Sequence, residues 1–262
     1  MKRLLCCALV LGLSAPGFAG IRIETTTRDI ATKAADGAPQ VMQVQDGMIR
    51  ATQGSNHGMI LRNSTITLLD DKHKTYREMD KESLKNMANK AGAAMAQLQE
   101  KMKNMSPEQR AMMEKAMGNH IPGGMGSQGT PDTYAAKDTG KNETVEGRSC
   151  RLWQTTRNGA PLEELCVVPY ASLPGREDLE KAFKMMTDAV EDLSSAMPNV
   201  EKAMKARLSV NGYPVRIRRY DAQGELRKTE TVLTKWTEES LPASMFDVPA
   251  GYTRQDLPQL GK

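Results

Sequence analysis

Cysteine has the clearest chemistry in this chain, because two thiols can form a disulfide or a redox centre. The sequence has four cysteines, and Cys6 and Cys7 lie inside a short apolar segment at the amino terminus. Cys150 and Cys166 remain, and in an oxidising compartment a disulfide is the default for such a pair. Their spacing is not Cys-x-x-Cys, which argues against a redox-active pair. A three-residue loop at 157–159 would place them opposite each other on adjacent strands, whereas a two-residue turn would send them to opposite faces.

Methionine offers a second kind of chemistry, and the chain contains 18 of these residues. Thioether and imidazole groups select copper(I), and one cluster combines both kinds of ligand: Met112, Met113, Met117 and His120. Other methionines share a helical stripe with leucine and alanine, which is typical of a packing surface. The sequence therefore favours packing, with a copper(I) site as the alternative. We otherwise expect no metal and no cofactor.

No arrangement of residues in the sequence indicates catalysis. The glycines at 124–129 match the dinucleotide pattern G-x-G-x-x-G, but that pattern must follow a strand and open a helix, and here a predicted helix precedes it. Ser127 lacks the glycine that a nucleophile elbow needs two residues before the serine. The three histidines lack the spacing of a helical zinc site. We therefore predict that the protein is not an enzyme.

The amino terminus has the pattern of a secretory signal peptide. Lys2 and Arg3 precede an apolar stretch at 4–13 that is too short to span a bilayer, and the small residues Gly17 and Ala19 follow. We assign residues 1–19 to this signal and expect a secreted protein of the periplasm, without a transmembrane anchor after cleavage. The formal charge falls from +4 to +2 when the two basic residues are removed, which argues against nucleic-acid binding.

Hydrophobic periodicity divides the rest of the chain into strand-rich and helix-rich blocks. We predict strands at 21–33, 40–45, 48–53, 59–69, 75–79, 133–137, 142–145, 148–156, 162–168, 208–220, 226–236 and 244–248. The dipeptide Asp46-Gly47 is a hairpin signal. Helices are predicted after Asp80, as an N-cap, and after Ser106, which forms a capping box with Gln109. A third helix follows residue 175 and is broken by Pro198, after which a short helical continuation reaches Arg207.

The last predicted hairpin is strongly basic. Its cationic residues alternate with apolar ones, which is typical of an antiparallel sheet with one solvated face. We expect that face to be solvated rather than to dock an anionic partner. The cationic residues are Arg216, Arg218, Arg219, Arg227, Lys228 and Lys235.

Two stretches near the carboxyl terminus carry a family resemblance. Residues 212–215 (Gly-Tyr-Pro-Val) and 241–252 (Leu-Pro-Ala-Ser-Met-Phe-Asp-Val-Pro-Ala-Gly-Tyr) resemble the ending of the LolA/LolB-like superfamily of periplasmic proteins, closest to its uncharacterised secreted members. The segments 147–150 and 165–166 are similar to the same group. The resemblance implies an α+β fold, namely a curved antiparallel β half-barrel with helices covering the concave face. It also implies one domain at 20–262 with a methionine-rich helical insert at 80–132 and a second helical excursion at 175–207.

The resemblance directs the functional expectation towards a cavity. In the lipoprotein carriers of the superfamily the half-barrel receives acyl chains, so we expect this chain to bind an apolar, lipid-like ligand or an envelope protein as partner. A copper(I)-binding protein and a structural envelope component are the alternatives. We expect the helices to form a lid over the cavity. The predicted lid residues are Met87, Met95, Leu98, Met102, Phe183, Met186 and Val190.

Overall fold

The computed structural model describes residues 19–54, 56–83, 132–191, 198–221 and 223–257, together with isolated residues and pairs between 85 and 109. Over these residues the chain forms one twelve-stranded sheet with few helices. Its strands are β1 (Ala19–Asp29), β2 (Gln40–Gln45), β3 (Met48–Gln53), β4 (His57–Arg62), β5 (Thr65–Asp70), β6 (Thr75–Met79), β7 (Tyr134–Val145), β8 (Arg148–Arg157), β9 (Ala160–Val168), β10 (Tyr213–Tyr220), β11 (Leu226–Ser240) and β12 (Thr253–Arg254). The helices are α1 (Arg176–Glu191) and α2 (Pro198–Leu208).

The sheet is open and curled rather than closed. Its strand order is β12-β6-β5-β4-β3-β2-β1-β11-β10-β9-β8-β7. All neighbouring pairs are antiparallel except β12 and β6. Strand β1 therefore joins the meander β2–β6 to the five strands β7–β11, through β11. No helix formed by the described residues is long and apolar enough to cross a membrane.

The local signals in the sequence explain much of this order. The predicted hairpin at Asp46-Gly47 is confirmed, since both residues have positive φ (49° and 80°) between β2 and β3, as a type I′ turn requires. The predicted caps are confirmed as well. Asp80 Oδ1 accepts a hydrogen bond from the Ser83 amide at 2.7 Å, and Ser106 and Gln109 exchange two backbone-to-side-chain hydrogen bonds.

Several of the predicted strands are wrong in their bounds or type. The stretch 59–69 is two strands, because the chain reverses at 63–64, where both residues have positive φ. The strands predicted at 133–137 and 142–145 are one strand, β7, with an irregularity that carries it across the interval. The stretch 244–248 is occupied mainly by a 3₁₀ helix, Ala243–Phe246, which buries Phe246 against Ile60, Leu69 and Leu241. The strand predicted from 208 starts at Tyr213, because α2 runs to Leu208.

Helix α1 packs on the sheet through β1 and β2. Leu179 and Ala182 of the helix are buried in the same cluster as Ile21 and Ile23 of β1. Gly175 allows this approach at the helix start: its φ is +66°, and a Cβ there would lie 2.6 Å from Ile21 Cγ1. The apolar side of α1 therefore faces the middle of the sheet.

Several predictions fall on residues that the structure does not describe. The proposed signal peptide lies outside the described residues except for Ala19, the first residue of β1. Most of the proposed insert at 80–132 lies outside them too. The same holds for residues 192–197 of the predicted third helix.

Candidate functional site

A cavity of about 890 Å³ is lined by residues of the sheet and of both helices. Its size falls in the range of small-molecule sites, which is about 300–1,000 Å³. The lining residues come from strands β1–β5 and β9–β11 and from helices α1 and α2. Central apolar wall residues are Ile23, Leu165, Ile217, Leu233, Phe183 and Met186.

Simple periodicities aim these side chains at the cavity. On β1 the residues Ile23, Thr25 and Thr27 all line it, because every second residue of a strand points to the same face. On α1 the cavity residues Phe183 and Met186 are three apart, which is about one turn of a helix. The apolar side of the helix that packs on β1 therefore also borders the cavity.

The structure describes the side chains of two of the seven predicted lid residues. Phe183 and Met186 line the cavity. Val190 lies in α1, but its side chain is outside the description. The other four predicted lid residues lie outside the described residues: Met87, Met95, Leu98 and Met102.

The sequence reasoning missed the contribution of α2 to the wall. Met204 and Leu208 of this helix line the cavity, and their spacing of four residues was a signal available in the sequence. Tyr170, in the short 3₁₀ helix before α1, also lines it, with its ring 6.3 Å from that of Phe183. Burial raises the pKa of the Tyr170 hydroxyl, so the phenol stays neutral in this wall.

Among the described residues, four methionines border the cavity. Two come from the sheet, Met42 of β2 and Met59 of β4, and two come from the helices, Met186 and Met204. Methionine side chains are unbranched and polarizable, so they adapt to ligands of different shape. This wall can therefore accommodate more than one apolar shape.

Two arginines and one glutamate carry charge at the site within the part of the chain that the structure describes. Arg207 of α2 and Arg219 of β10 both line the cavity, and both contact Glu163 of β9. Arg219 Nε donates to Glu163 Oε1 at 3.2 Å, and Arg207 Nη1 donates to Glu163 Oε2. The Glu163 side chain is 14% exposed, whereas those of Arg207 and Arg219 are 37% and 50% exposed.

A ladder of opposite charges runs across the strands that form part of this wall. Arg28 of β1 stands opposite Glu230 of β11, which stands opposite Arg218 of β10, which stands opposite Glu164 of β9. Directly opposed ions of opposite sign stabilise neighbouring strands. We call these four residues the charge ladder. Arg216 joins it through Glu164, at 2.7 Å.

The prediction of a solvated basic face is wrong for Arg216. Its side chain is only 5% exposed, and it pairs with Glu143 of β7 and Glu164. Arg218 is also mostly buried, in the ladder. Glu143 and Glu164, the partners of Arg216, lie outside the hairpin, whereas Glu230, the partner of Arg218, lies within it on β11.

Glu230 is the most deeply buried charge of the ladder, with 1% of its side chain exposed. Burial by itself would raise the pKa of this carboxyl, but hydrogen bonds from Lys33, Arg28 and Arg218 outweigh it and lower the pKa to about 2. The Nζ–O and Nε–O distances are 2.9–3.0 Å. Glu230 is therefore ionised at any physiological pH.

The predicted disulfide between Cys150 and Cys166 is confirmed, with a Cα–Cα distance of 5.3 Å. The three-residue loop at 157–159, which would place the cysteines directly opposite each other, does not form, because Arg157 pairs with Ala160 across a two-residue turn. A register shift between Thr155 and Thr156 restores the cysteines to one face. Cys166 then lies opposite Leu152, so the bridge joins diagonal neighbours.

The described residues do not test the alternative prediction of a copper(I) site. Met112, Met113, Met117 and His120 all lie outside them. Within the described ranges no group of three or more His, Cys, Asp or Glu residues could hold a metal ion. The copper(I) site therefore stays a prediction.

A family model described as a domain of unknown function (DUF4412) matches residues 63–252. None of the curated proteins matches the sequence. Among solved structures, an uncharacterized conserved protein from Thermus thermophilus is similar at 6% identity over 92% of this chain and 91% of its own, with a TM-score of 0.44. A LolA superfamily protein, NE2245 from Nitrosomonas europaea, is similar at 10% identity over 88% and 91%, with a TM-score of 0.29. PNGF-II is similar at 6% identity over 91% of this chain and 31% of its own, with a TM-score of 0.38.

Proposed function

The chain belongs to the DUF4412 family of domains of unknown function, and we propose that it is a non-enzymatic protein that binds an apolar, lipid-like ligand in the cell envelope. The observation that carries this proposal is the cavity of about 890 Å³ with its mostly apolar wall. Large apolar pockets with a few converging polar groups are the usual form of a ligand site. In this cavity such polar groups include the two arginines beside Glu163.

The architecture behind the proposal is a half-barrel. We propose that the open, curled sheet presents its concave face to the cavity and that α1 and α2 cover this face. The support is that residues from eight strands and both helices border the same space. A helix with one apolar stripe can bury it only against such a face. The methionine-rich segment at 80–132 would extend this cover.

The energetic reason for binding is the removal of apolar surface from water. Burial of apolar surface is worth roughly 25 cal/mol per Å², so an acyl chain enclosed by this wall gains affinity without many directed contacts. The four methionines Met42, Met59, Met186 and Met204 suit a wall that must close around a flexible chain.

The envelope location rests on two features. The disulfide between Cys150 and Cys166 is the kind of bond that persists in oxidising compartments. Residues 1–19 have the signal-peptide pattern. We therefore propose that residues 20–262 act as one secreted domain, with an envelope protein as donor or acceptor of the ligand.

The test uses a neutral fluorescent dye, N-phenyl-1-naphthylamine, which probes the apolar wall alone. The wild-type protein should bind it with enhanced fluorescence. Met186→Lys should weaken binding by more than about tenfold, because it places a charged ammonium in the apolar wall that the dye must contact. Met186→Leu, which keeps the apolar character and the approximate volume, is the matched control and should bind like the wild type.

Two outcomes would contradict the proposal. One is the absence of dye binding by the folded wild-type protein. The other is equal dye binding by wild type and a Met186→Lys variant whose circular dichroism and unfolding transition show it to be folded. Either result would leave the cavity as a packing feature.

A further inference from the structure

Resting on the proposed function, we propose that the ligand is an amphiphile with one anionic head group, which Arg207 and Arg219 bind at the α2 end of the cavity. The apolar chain would then lie along the wall formed by β10, β11 and β1. The apolar wall by itself does not determine which head group the ligand carries.

The two arginines meet because of strand register and the course of α2. Arg219 lies directly opposite Glu163 on the β10–β9 ladder. Arg207 is in the last turn of α2 and reaches the other oxygen of the same carboxylate. Two guanidinium groups therefore converge on one point at the cavity wall.

The charge at this point is not balanced. Two cations face one carboxylate, which leaves a net charge of +1. Among the described residues that line the cavity there is no aspartate or glutamate, so no second acid from these residues offsets it. A buried or half-buried cation favours an anionic partner, and charge-assisted hydrogen bonds from arginine to carboxylate or phosphate are among the strong ones.

The arginines also retain donors and access. A guanidinium has five N–H donors, and within the described part of the chain Arg219 donates only through Nε and Arg207 only through Nη1. The side chain of Arg219 is half exposed. An incoming anion can therefore contact the Nη groups of Arg219 while Glu163 holds the guanidinium in position.

The head-group site continues directly into the apolar wall. On the paired strands β10 and β9, the opposed residues Arg219 and Glu163 lie two positions from the opposed residues Ile217 and Leu165. Both of these apolar residues line the cavity, and residues two apart on a strand share a face. An amphiphile whose head contacts Arg219 thus has its first methylene groups beside Ile217 and Leu165.

The experiment compares three twelve-carbon amphiphiles as competitors of N-phenyl-1-naphthylamine: dodecanoate, dodecyl phosphate and dodecanol. The wild-type protein should prefer at least one of the anionic compounds over dodecanol by about tenfold, which is the effect of one or two charge-assisted hydrogen bonds. The tighter of the two anions identifies the head group as carboxylate or phosphate. Arg219→Gln should abolish most of this preference while leaving dodecanol affinity unchanged.

Arg227→Gln is the matched control. This residue is an exposed arginine of the adjacent strand β11 and does not border the cavity, so its removal should change none of the three affinities. Equal affinity of the wild type for dodecanol and both anions would overturn the inference, as would an equal loss for all three in Arg219→Gln. In either case continued dye binding would leave the proposed apolar site standing, whereas absence of dye binding would remove both.

Discussion

Replacing Glu230 with glutamine tests whether the charge ladder stabilises the sheet. The carboxylate pairs with Arg28 and Arg218 at 2.9 Å and with Lys33 at 3.0 Å, and only 1% of its side chain is exposed. Its pKa is lowered from 4.5 to about 2, and each pH unit of that difference corresponds to about 1.4 kcal/mol. The ionised carboxylate therefore contributes about 3 kcal/mol to the free energy of unfolding at neutral pH.

The sign of the pH dependence follows from the lowered pKa. The unfolded chain binds a proton at Glu230 near pH 4.5, whereas the folded chain does so only near pH 2. The stabilisation is therefore fully present above about pH 5 and is lost as the pH falls from about 5 to about 2. Glu230→Gln has no group that titrates at this position. The difference in unfolding free energy between wild type and variant should accordingly be large at pH 7 and should shrink towards pH 2.

Urea unfolding at pH 7, 5 and 3 measures this difference. Glu238→Gln is the matched control, because Glu238 lies on the same strand and is exposed, and its replacement should change the free energy of unfolding by less than about 0.5 kcal/mol. A loss below about 1 kcal/mol for Glu230→Gln at pH 7 would refute the reasoning. A loss that stays constant between pH 7 and pH 3 would refute it as well, since the ionisation of Glu230 would then play no part.

Two other changes should destabilise the fold in measurable ways. Replacing Cys150 and Cys166 together with alanine should lower the free energy of unfolding by about 3 kcal/mol, since the bridge closes a loop with a sequence separation of 16; an unchanged urea midpoint would contradict this. Gly212→Ala should cost about 1–3 kcal/mol, because its Cβ would lie 2.3 Å from the backbone oxygen of Val168. Gly58→Ala, whose Cβ meets nothing nearer than 3.2 Å, should cost less in the same urea unfolding assay, and equal losses would show that the close approach is not the cause.

Local signals in the sequence predicted the strands best where the turn chemistry is specific. Asp46-Gly47 was recognised because this dipeptide favours the positive φ values that both residues adopt. The reversal at Asn63 and Ser64 uses the same backbone conformation, but Ser64 is not a residue that favours it, so one long strand was predicted instead of β4 and β5. Hydrophobic periodicity cannot locate a turn when the turn residues are not of types that favour turns.

The candidate site was predictable where it depends on one helix. Phe183 and Met186 follow from the apolar stripe of α1, and Met204 and Leu208 would have followed from the same rule applied to α2. The arginine pair was not predictable in this way. Arg207, Arg219 and Glu163 come from three separate elements, and their meeting depends on tertiary structure.

The buried charges show the same limit more strongly. The alternation of β10 and β11 correctly separates two faces, but it does not say which face becomes buried. Arg28 and Glu230 are 202 residues apart in sequence, and Arg216 and Glu143 are 73 apart. A single sequence records both members of each pair without recording that they are partners, so a solvated Arg216 was the natural interpretation.

Along the central strands, residues that stabilise the sheet alternate with residues that line the cavity. Adjacent residues point to opposite faces of a strand, so each ladder residue has a cavity residue beside it: Glu230 beside Thr231, Arg218 beside Ile217, and Glu164 beside Leu165. An apolar face that borders an open cavity forgoes the packing that usually stabilises a core. The charge ladder and the disulfide supply cross-strand interactions that do not require the cavity face to be closely packed. The wall can therefore keep its adaptable methionines and its open volume while the register of β1 and β9–β11 stays fixed from the opposite side.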